Sequence, residues 1–192
     1  VYVGGGTPSV LSEEGLVCLS SFISRYFVVE KEERTIELNP ESMTPAKAAL
    51  IRSAGFTRAS FGAQSFEAKY LAYLGRRHDP AQAFRVFKML REAGFDNINV
   101  DLMFGFPGQA DSELDEDIDA VLSLGSEHVS VYALTVEPRS SFCVRREKVS
   151  DDMQAGLYRR VCERLNAAGL AQYEVSNFAR SGFESVHNLN YW

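Results

Sequence analysis

The chain has 192 residues, 45% of them apolar, and its 20 Lys plus Arg against 26 Asp plus Glu leave a net charge of −6. That composition describes a globular domain with its own core, long enough to bury roughly 70% of its extended surface without disulfide staples. The acidic balance argues against nucleic acid or an anionic membrane as the main partner, and no apolar run approaches a bilayer span.

The chain opens on a β-rich run, Val1 to Val3, followed by Gly4-Gly5-Gly6-Thr7-Pro8-Ser9. Leu16, Leu19, Ile23 and Tyr26 then recur at the period of an amphipathic helix. A strand over Thr35 to Leu38 runs into Asn39-Pro40. Thr44-Pro45 supplies an N-cap oxygen and a first-turn proline for the next helix, which ends at Ala54-Gly55. Glycine there suits the left-handed residue that follows a helix. The unit repeats: a strand over Arg58 to Ala63, then a helix opened by Asp79-Pro80 and closed by Ala93-Gly94. Next come a strand over Ile98 to Phe104, a helix carrying Leu114, Ile118, Val121 and Leu122 up to Gly125, and a strand over Val129 to Leu134. A charged stretch from Arg145 to Asp152 precedes a helix with Leu157, Val161 and Leu165, a Gly169 stop, and a last strand over Tyr173 to Val175.

Strands alternating with helices of this length predict right-handed βαβ units and a parallel sheet. The largely apolar run from Ile98 to Phe104 predicts a strand covered on both faces. Residues 1–148 read as the core unit and 149–192 as a C-terminal helix–strand segment, with the charged stretch between them. The wide spacing of Cys18, Cys143 and Cys162 fits neither a disulfide framework nor a metal clip and points to a reducing, cytoplasmic compartment. Cys18 and Cys162 read as small hydrophobes. His78 reads as a helix-start residue and His128 as a strand-start residue.

In a parallel α/β sheet, ligands bind beyond the C-terminal ends of the strands. Those ends carry, in order, the glycine triplet, Glu37, Gln64 and Asp101. Glycines admit close backbone approach, Glu37 can accept from an ammonium group, and Asp101 can accept from ribose hydroxyls. The triplet lacks the Lys-Ser/Thr of a phosphate loop and the spacing of a dinucleotide fold. Alone, it fits a strand-to-helix turn as well as a binding loop, and either carboxylate alone could be satisfied by a neighbour. The joint pattern predicts a site for a polar, zwitterionic or hydroxyl-rich small molecule.

GGGTPS, ELNP, SFGAQSF, LGRRHD, NINVDLMFGFPGQ, HVSVYALTVEP and YEVSNFARSGFESVHNLNYW, collinear from residue 1 to residue 192, resemble the radical S-adenosylmethionine superfamily. Within it they resemble the branch of oxygen-independent coproporphyrinogen III oxidase and the HemW-type haem chaperones. The resemblance implies a partial (β/α)6 barrel, open on one side. It implies S-adenosylmethionine contacts at Gly5, Gly6, Thr7, Glu37, Gln64, Arg76 and Asp101, with Arg77 the competing assignment for the arginine. The family's first strand carries a CxxxCxxC loop that holds a [4Fe–4S] cluster, and this chain starts at what corresponds to the second strand. We therefore expect a piece of a longer protein, whose cluster belongs to the full-length parent. A start within an apolar run without Met, and an end on Tyr191-Trp192, suggest the same.

His187-Asn188-Leu189-Asn190-Tyr191-Trp192 matches the HNxxYW motif that the resemblance associates with haem. His187 can offer a ring nitrogen to iron, with Tyr191 and Trp192 against the macrocycle. A structural His-Asn turn with two aromatics sealing the barrel is the competing reading. The expected partners are haem and haem-acceptor proteins, or coproporphyrinogen III in the oxidase alternative.

Overall fold

The computed structural model describes residues 1–27, 33–135 and 150–191. Cys143, Trp192, the end of HVSVYALTVEP and most of the charged boundary stretch lie outside them. In chain order the elements are β1 (Tyr2–Val3), α1 (Glu13–Tyr26), β2 (Thr35–Leu38), α2 (Pro45–Ser53), β3 (Arg58–Gln64), α3 (Ala68–Tyr73) and α4 (Pro80–Glu92). There follow β4 (Asn97–Phe104), α5 (Asp111–Leu124), β5 (His128–Ala133), α6 (Asp151–Ala167), β6 (Ala171–Gln172), β7 (Asn177–Ala179) and the helical turn α7 (Val186–Leu189). The strands form one open sheet in the order β1-β2-β3-β4-β5-β7-β6.

Strands β1 to β5 pair in parallel, as the repeat predicts, but the C-terminal end departs from it. Tyr173 to Val175 is not a strand. It lies in the connection of an antiparallel hairpin, β6–β7, whose second strand pairs antiparallel with β5. The Tyr158 and Gln172 side chains hold that connection by hydrogen bonds to the Val175 carbonyl.

The helix boundaries follow local chemistry. The Ser12, Thr44, Asp79 and Ser150 side chains cap α1, α2, α4 and α6, and the glycines at 55, 94, 125 and 169 all have positive φ. Because each parallel strand is the immediate neighbour of the one before, every crossover steps the same way. The right-handed rule therefore puts the helices on a single face. Ile36, Phe61, Ile98, Val100, Leu102, Val129 and Phe178 from the strands share one buried cluster with Leu16, Ile51, Leu90, Ile118, Val161 and Leu165 from the helices.

The opposite face is not apolar. Glu37, Arg58, Ser60, Asn99, Asp101, His128, Ser130 and Asn177 alternate with those core residues along their strands. Strand β4 is thus covered by helices on one side and lined with polar groups on the other, which corrects the expectation of two covered faces. Cys18 is exposed, not a small hydrophobe of the core, and Tyr26 at the helix end is 61% exposed. Cys162 packs partly against the core. Among the described residues no helix is long and apolar enough to cross a membrane.

Candidate functional site

The cleft begins at the turn after β1. Gly5 and Gly6 have φ of +84° and +70°, conformations that side-chain-bearing residues rarely adopt. Gly4 is required for a different reason: a Cβ there would sit 2.8 Å from both the Glu37 carboxyl and the Tyr2 ring. The turn is fastened to the end of β2 by Ser9, which is fully buried. Its hydroxyl accepts from the Asn39 amide at 2.9 Å, and its carbonyl accepts from Lys47 Nζ at 2.7 Å.

Glu37 projects from β2 onto the polar face. Its carboxylate accepts from the Tyr2 hydroxyl at 2.8 Å and the Gly5 amide at 3.2 Å. Gln64 ends β3 at a register shift, and its φ of +67° is the only positive value at a non-glycine residue among those described. The Ser65 amide donates to the Ala63 carbonyl at 2.8 Å, closing a three-residue turn around Gln64. Such backbone costs on the order of 1–3 kcal/mol and persists only where its surroundings hold it. The Gln64 amide folds back over Gly62, where any Cβ would collide with it.

Asp101 faces the same cleft from β4, directly across from Gly62 in the register. Burial pushes its pKa up to about 6, against the lowering effects of the Asn99 hydrogen bond (2.6 Å) and the Arg58 charge. Arg76, in the connection between α3 and α4, completes the lining. Arg77 turns away: it is exposed, and its amide donates to Glu41 at 2.8 Å.

Gly6, Thr7, Glu37, Gln64, Arg76 and Asp101 thus line one cavity of about 170 Å³, and Gly5 adjoins it through Glu37. Six of the seven residues expected to share a site converge there, and the seventh touches one of them. Leu38, Asn39, Ser60 and Gly62 also line it and were not anticipated. The even-numbered alternation Arg58, Ser60, Gly62, Gln64 along β3 was the signal that could have found two of them. Neither Cys18 nor Cys162 reaches this cavity.

A polar network extends from the cleft toward the C-terminus. The Asn99 amide donates to Ser60 (2.8 Å) as well as Asp101, while its oxygen accepts from Ser130 (3.0 Å) and His128 Nδ1 (2.6 Å). Burial holds the His128 pKa well below its ordinary value, so the ring is neutral and its Nε2 accepts from the Tyr173 hydroxyl at 2.7 Å. Asn188 donates to that same hydroxyl at 3.0 Å. His128 does start its strand, whereas His78 is buried before α4, within 3.4 Å of the Ala63 carbonyl. His187 does not line the cavity. It is exposed on α7 and stacks on Tyr2, with ring centroids 4.5 Å apart. Tyr191 is 82% exposed and does not seal the sheet.

Fold and cleft together define an open α/β half-barrel with a polar pocket at the C-terminal rim of its parallel strands. The profile of the radical SAM superfamily matches residues 1–121, and the chain belongs to that superfamily. Over its whole length it is 42% identical to the heme chaperone HemW of Bacillus subtilis, 44% to that of Mycobacterium tuberculosis and 36% to that of Escherichia coli. The chain spans about half the length of these curated relatives, 52%, 51% and 51% respectively. The solved structure of Escherichia coli coproporphyrinogen III oxidase (HemN), a radical SAM enzyme, is similar with a TM-score of 0.85 and 25% identity. That likeness covers 95% of this chain and 43% of the oxidase.

Proposed function

We propose that this chain is the S-adenosylmethionine-binding part of a haem chaperone of the HemW type, which binds haem and passes it to acceptor proteins. The observation that carries the cofactor assignment is the convergence of Glu37, Gln64, Arg76 and Asp101 with the glycine turn around one cavity. Their chemistry fits the ligand. Glu37 and the open backbone of Gly5, Gly6 and Thr7 suit an ammonium group, the Arg76 guanidinium suits a carboxylate, and Asp101 suits paired ribose hydroxyls. Gln64 both donates and accepts. Bound beside a reduced iron–sulfur cluster, which would donate one electron, S-adenosylmethionine would supply a 5′-deoxyadenosyl radical and release methionine. The residues of this chain orient the ligand and narrow its access to water. Calorimetry with S-adenosylmethionine on the cluster-reconstituted full-length protein tests this: D101A should weaken binding by about 1–3 kcal/mol, and wild-type affinity in that variant removes the assigned role.

His187 is the proposed haem ligand, supported by its exposed imidazole and by the 36–44% identity to three heme chaperones. A haem titration followed at the Soret band should lose affinity in H187A. An unchanged spectrum and affinity would exclude His187. The structural likeness to coproporphyrinogen III oxidase favours a second reading, oxidative decarboxylation of porphyrinogen propionates. Assay of the whole protein with coproporphyrinogen III separates the two, since a chaperone leaves that substrate unchanged.

A further inference from the structure

Asp117 is a buried carboxylate, 1% exposed, on the core-facing side of α5. It does not line the cleft, yet all its described hydrogen bonds go to the segment immediately after Gln64. The Ser65 hydroxyl donates to it at 2.7 and 3.1 Å, and the Phe66 amide donates at 2.5 Å. The same Ser65 oxygen accepts from the Glu67 amide at 3.0 Å, so the hydroxyl is used both as donor and as acceptor. A carboxylate buried among apolar neighbours is unfavourable unless something is gained from its hydrogen bonds. What these bonds hold is the one left-handed non-glycine backbone among the described residues.

We propose that Asp117 is a positioning residue for Gln64. It anchors Ser65 and Phe66 from α5, and that anchor keeps Gln64 at positive φ with its amide folded over Gly62 into the cavity. The device joins the outer helix layer to the polar face across the end of β3. Without it, the extended conformation that glutamine ordinarily prefers would carry the side chain away from Gly62. The consequence for ligand binding rests on the S-adenosylmethionine reading above; the backbone claim does not.

The test therefore has one arm without ligand and one with it. In the 192-residue chain, φ-dependent NMR couplings at Gln64 should report positive φ for wild type and D117N, whose amide oxygen still accepts from Phe66. They should report extended backbone for D117A. Positive φ retained in D117A overturns the proposal. If D117A does not fold, D117L, which fills the space of the carboxylate but accepts no hydrogen bond from Ser65 or Phe66, replaces it, and the same two outcomes decide. In the second arm, titration of the cluster-reconstituted full-length protein with S-adenosylmethionine should show D117A weaker by about tenfold, D117N within about threefold, and Q64A/D117A no weaker than Q64A. Additive losses in the double variant would mean that Asp117 acts by some route other than Gln64, and would overturn the proposal. Failure of wild type to bind S-adenosylmethionine would refute the cofactor reading, while the NMR arm would still decide the role of Asp117.

Discussion

His187 stacks on Tyr2, and the hydroxyl of that same Tyr2 donates to Glu37 at 2.8 Å. The C-terminal motif is therefore one side chain away from the carboxylate that faces the cleft. Burial and the Glu37 hydrogen bond both push the Tyr2 pKa up, so the phenol stays protonated and remains a donor at neutral pH.

The two functions of Tyr2 can be separated by substitution. Tyr2→Phe keeps the ring and removes the donor, so S-adenosylmethionine affinity should fall by about 1 kcal/mol, roughly fivefold, while haem titration is unchanged. Tyr2→Ala removes the support beneath His187 as well, and both titrations should weaken. Equal haem affinity in all three proteins would mean that the stack does not orient His187.

Gly62→Ala should damage the site and spare the fold. The added Cβ meets the end of the flexible Gln64 side chain, which can swing aside, rather than the backbone. The melting temperature should stay within a few degrees of wild type, while affinity for S-adenosylmethionine falls to that of Gln64→Ala. A Gly62→Ala protein that binds normally would show that Gln64 does not need its present pose.

Gly4→Ala should act on Glu37 instead. Its Cβ has the carboxyl on one side and the Tyr2 ring on the other, each at 2.8 Å, so Glu37 and Tyr2 must part. We expect loss of S-adenosylmethionine binding together with a change in tyrosine fluorescence or NMR signals at Tyr2. Binding retained with an unperturbed Tyr2 would contradict the observed packing.

Ligand affinity should depend on pH through Asp101. With a pKa raised to about 6 by burial, the ionised acceptor form is lost as pH falls below that value. Binding measured between pH 5 and 7 should strengthen by roughly tenfold with rising pH and then level off, and D101N should remove the dependence. A flat profile in wild type would place the ribose elsewhere.

Stability should move in the opposite direction over the same range. Burial raises the Asp117 pKa to about 6, so the folded chain holds this proton more tightly than the unfolded chain does. That contribution is complete below the unfolded carboxylate range and is lost as pH rises through 6, by up to about 3 kcal/mol. Glu113 works the other way: its Lys69 and Tyr70 hydrogen bonds lower its pKa to about 2, and their stabilisation disappears as pH falls toward that value. Urea denaturation should therefore find maximal stability near pH 5, with the decline toward pH 7 reduced in D117N. A stability that rises from pH 5 to 7 would contradict the Asp117 assignment, and one that does not fall below pH 4 would contradict that of Glu113.

Much of the architecture was legible because it rests on local rules. The Thr44 and Asp79 caps, the glycine stops and the 3.6-residue periods depend only on residues a few positions apart, and the structure has them where the sequence puts them. The hairpin β6–β7 was not legible. Tyr173-Glu174-Val175 has a strand-like composition, but Tyr173 takes its hydroxyl to His128 and Asn188, and Gln172 turns the chain by bonding to the Glu174 and Val175 carbonyls. Those partners cannot be inferred from β propensity. The polar inner face was missed for a related reason: Asp101 was read as a ligand contact, but Arg58, Ser60, Asn99 and Ser130 were not joined to it until the strand alternation acquired an inside and an outside.

By itself, the sequence determined the order of strands and helices, the parallel pairing of the first five strands, and which residues stand at their C-terminal ends. Those features follow from periodicity, caps and the handedness of crossovers, all carried by neighbouring residues. Only the tertiary structure decided that Arg76 rather than Arg77 faces the cleft, that His187 lies against Tyr2 beside it, and that Asp117 holds the turn at Gln64 by bonds to residues 51 and 52 positions away. Each of these depends on side-chain direction across elements far apart in the chain. That direction is set when the apolar face of the sheet is buried under the helices and the polar face is left open.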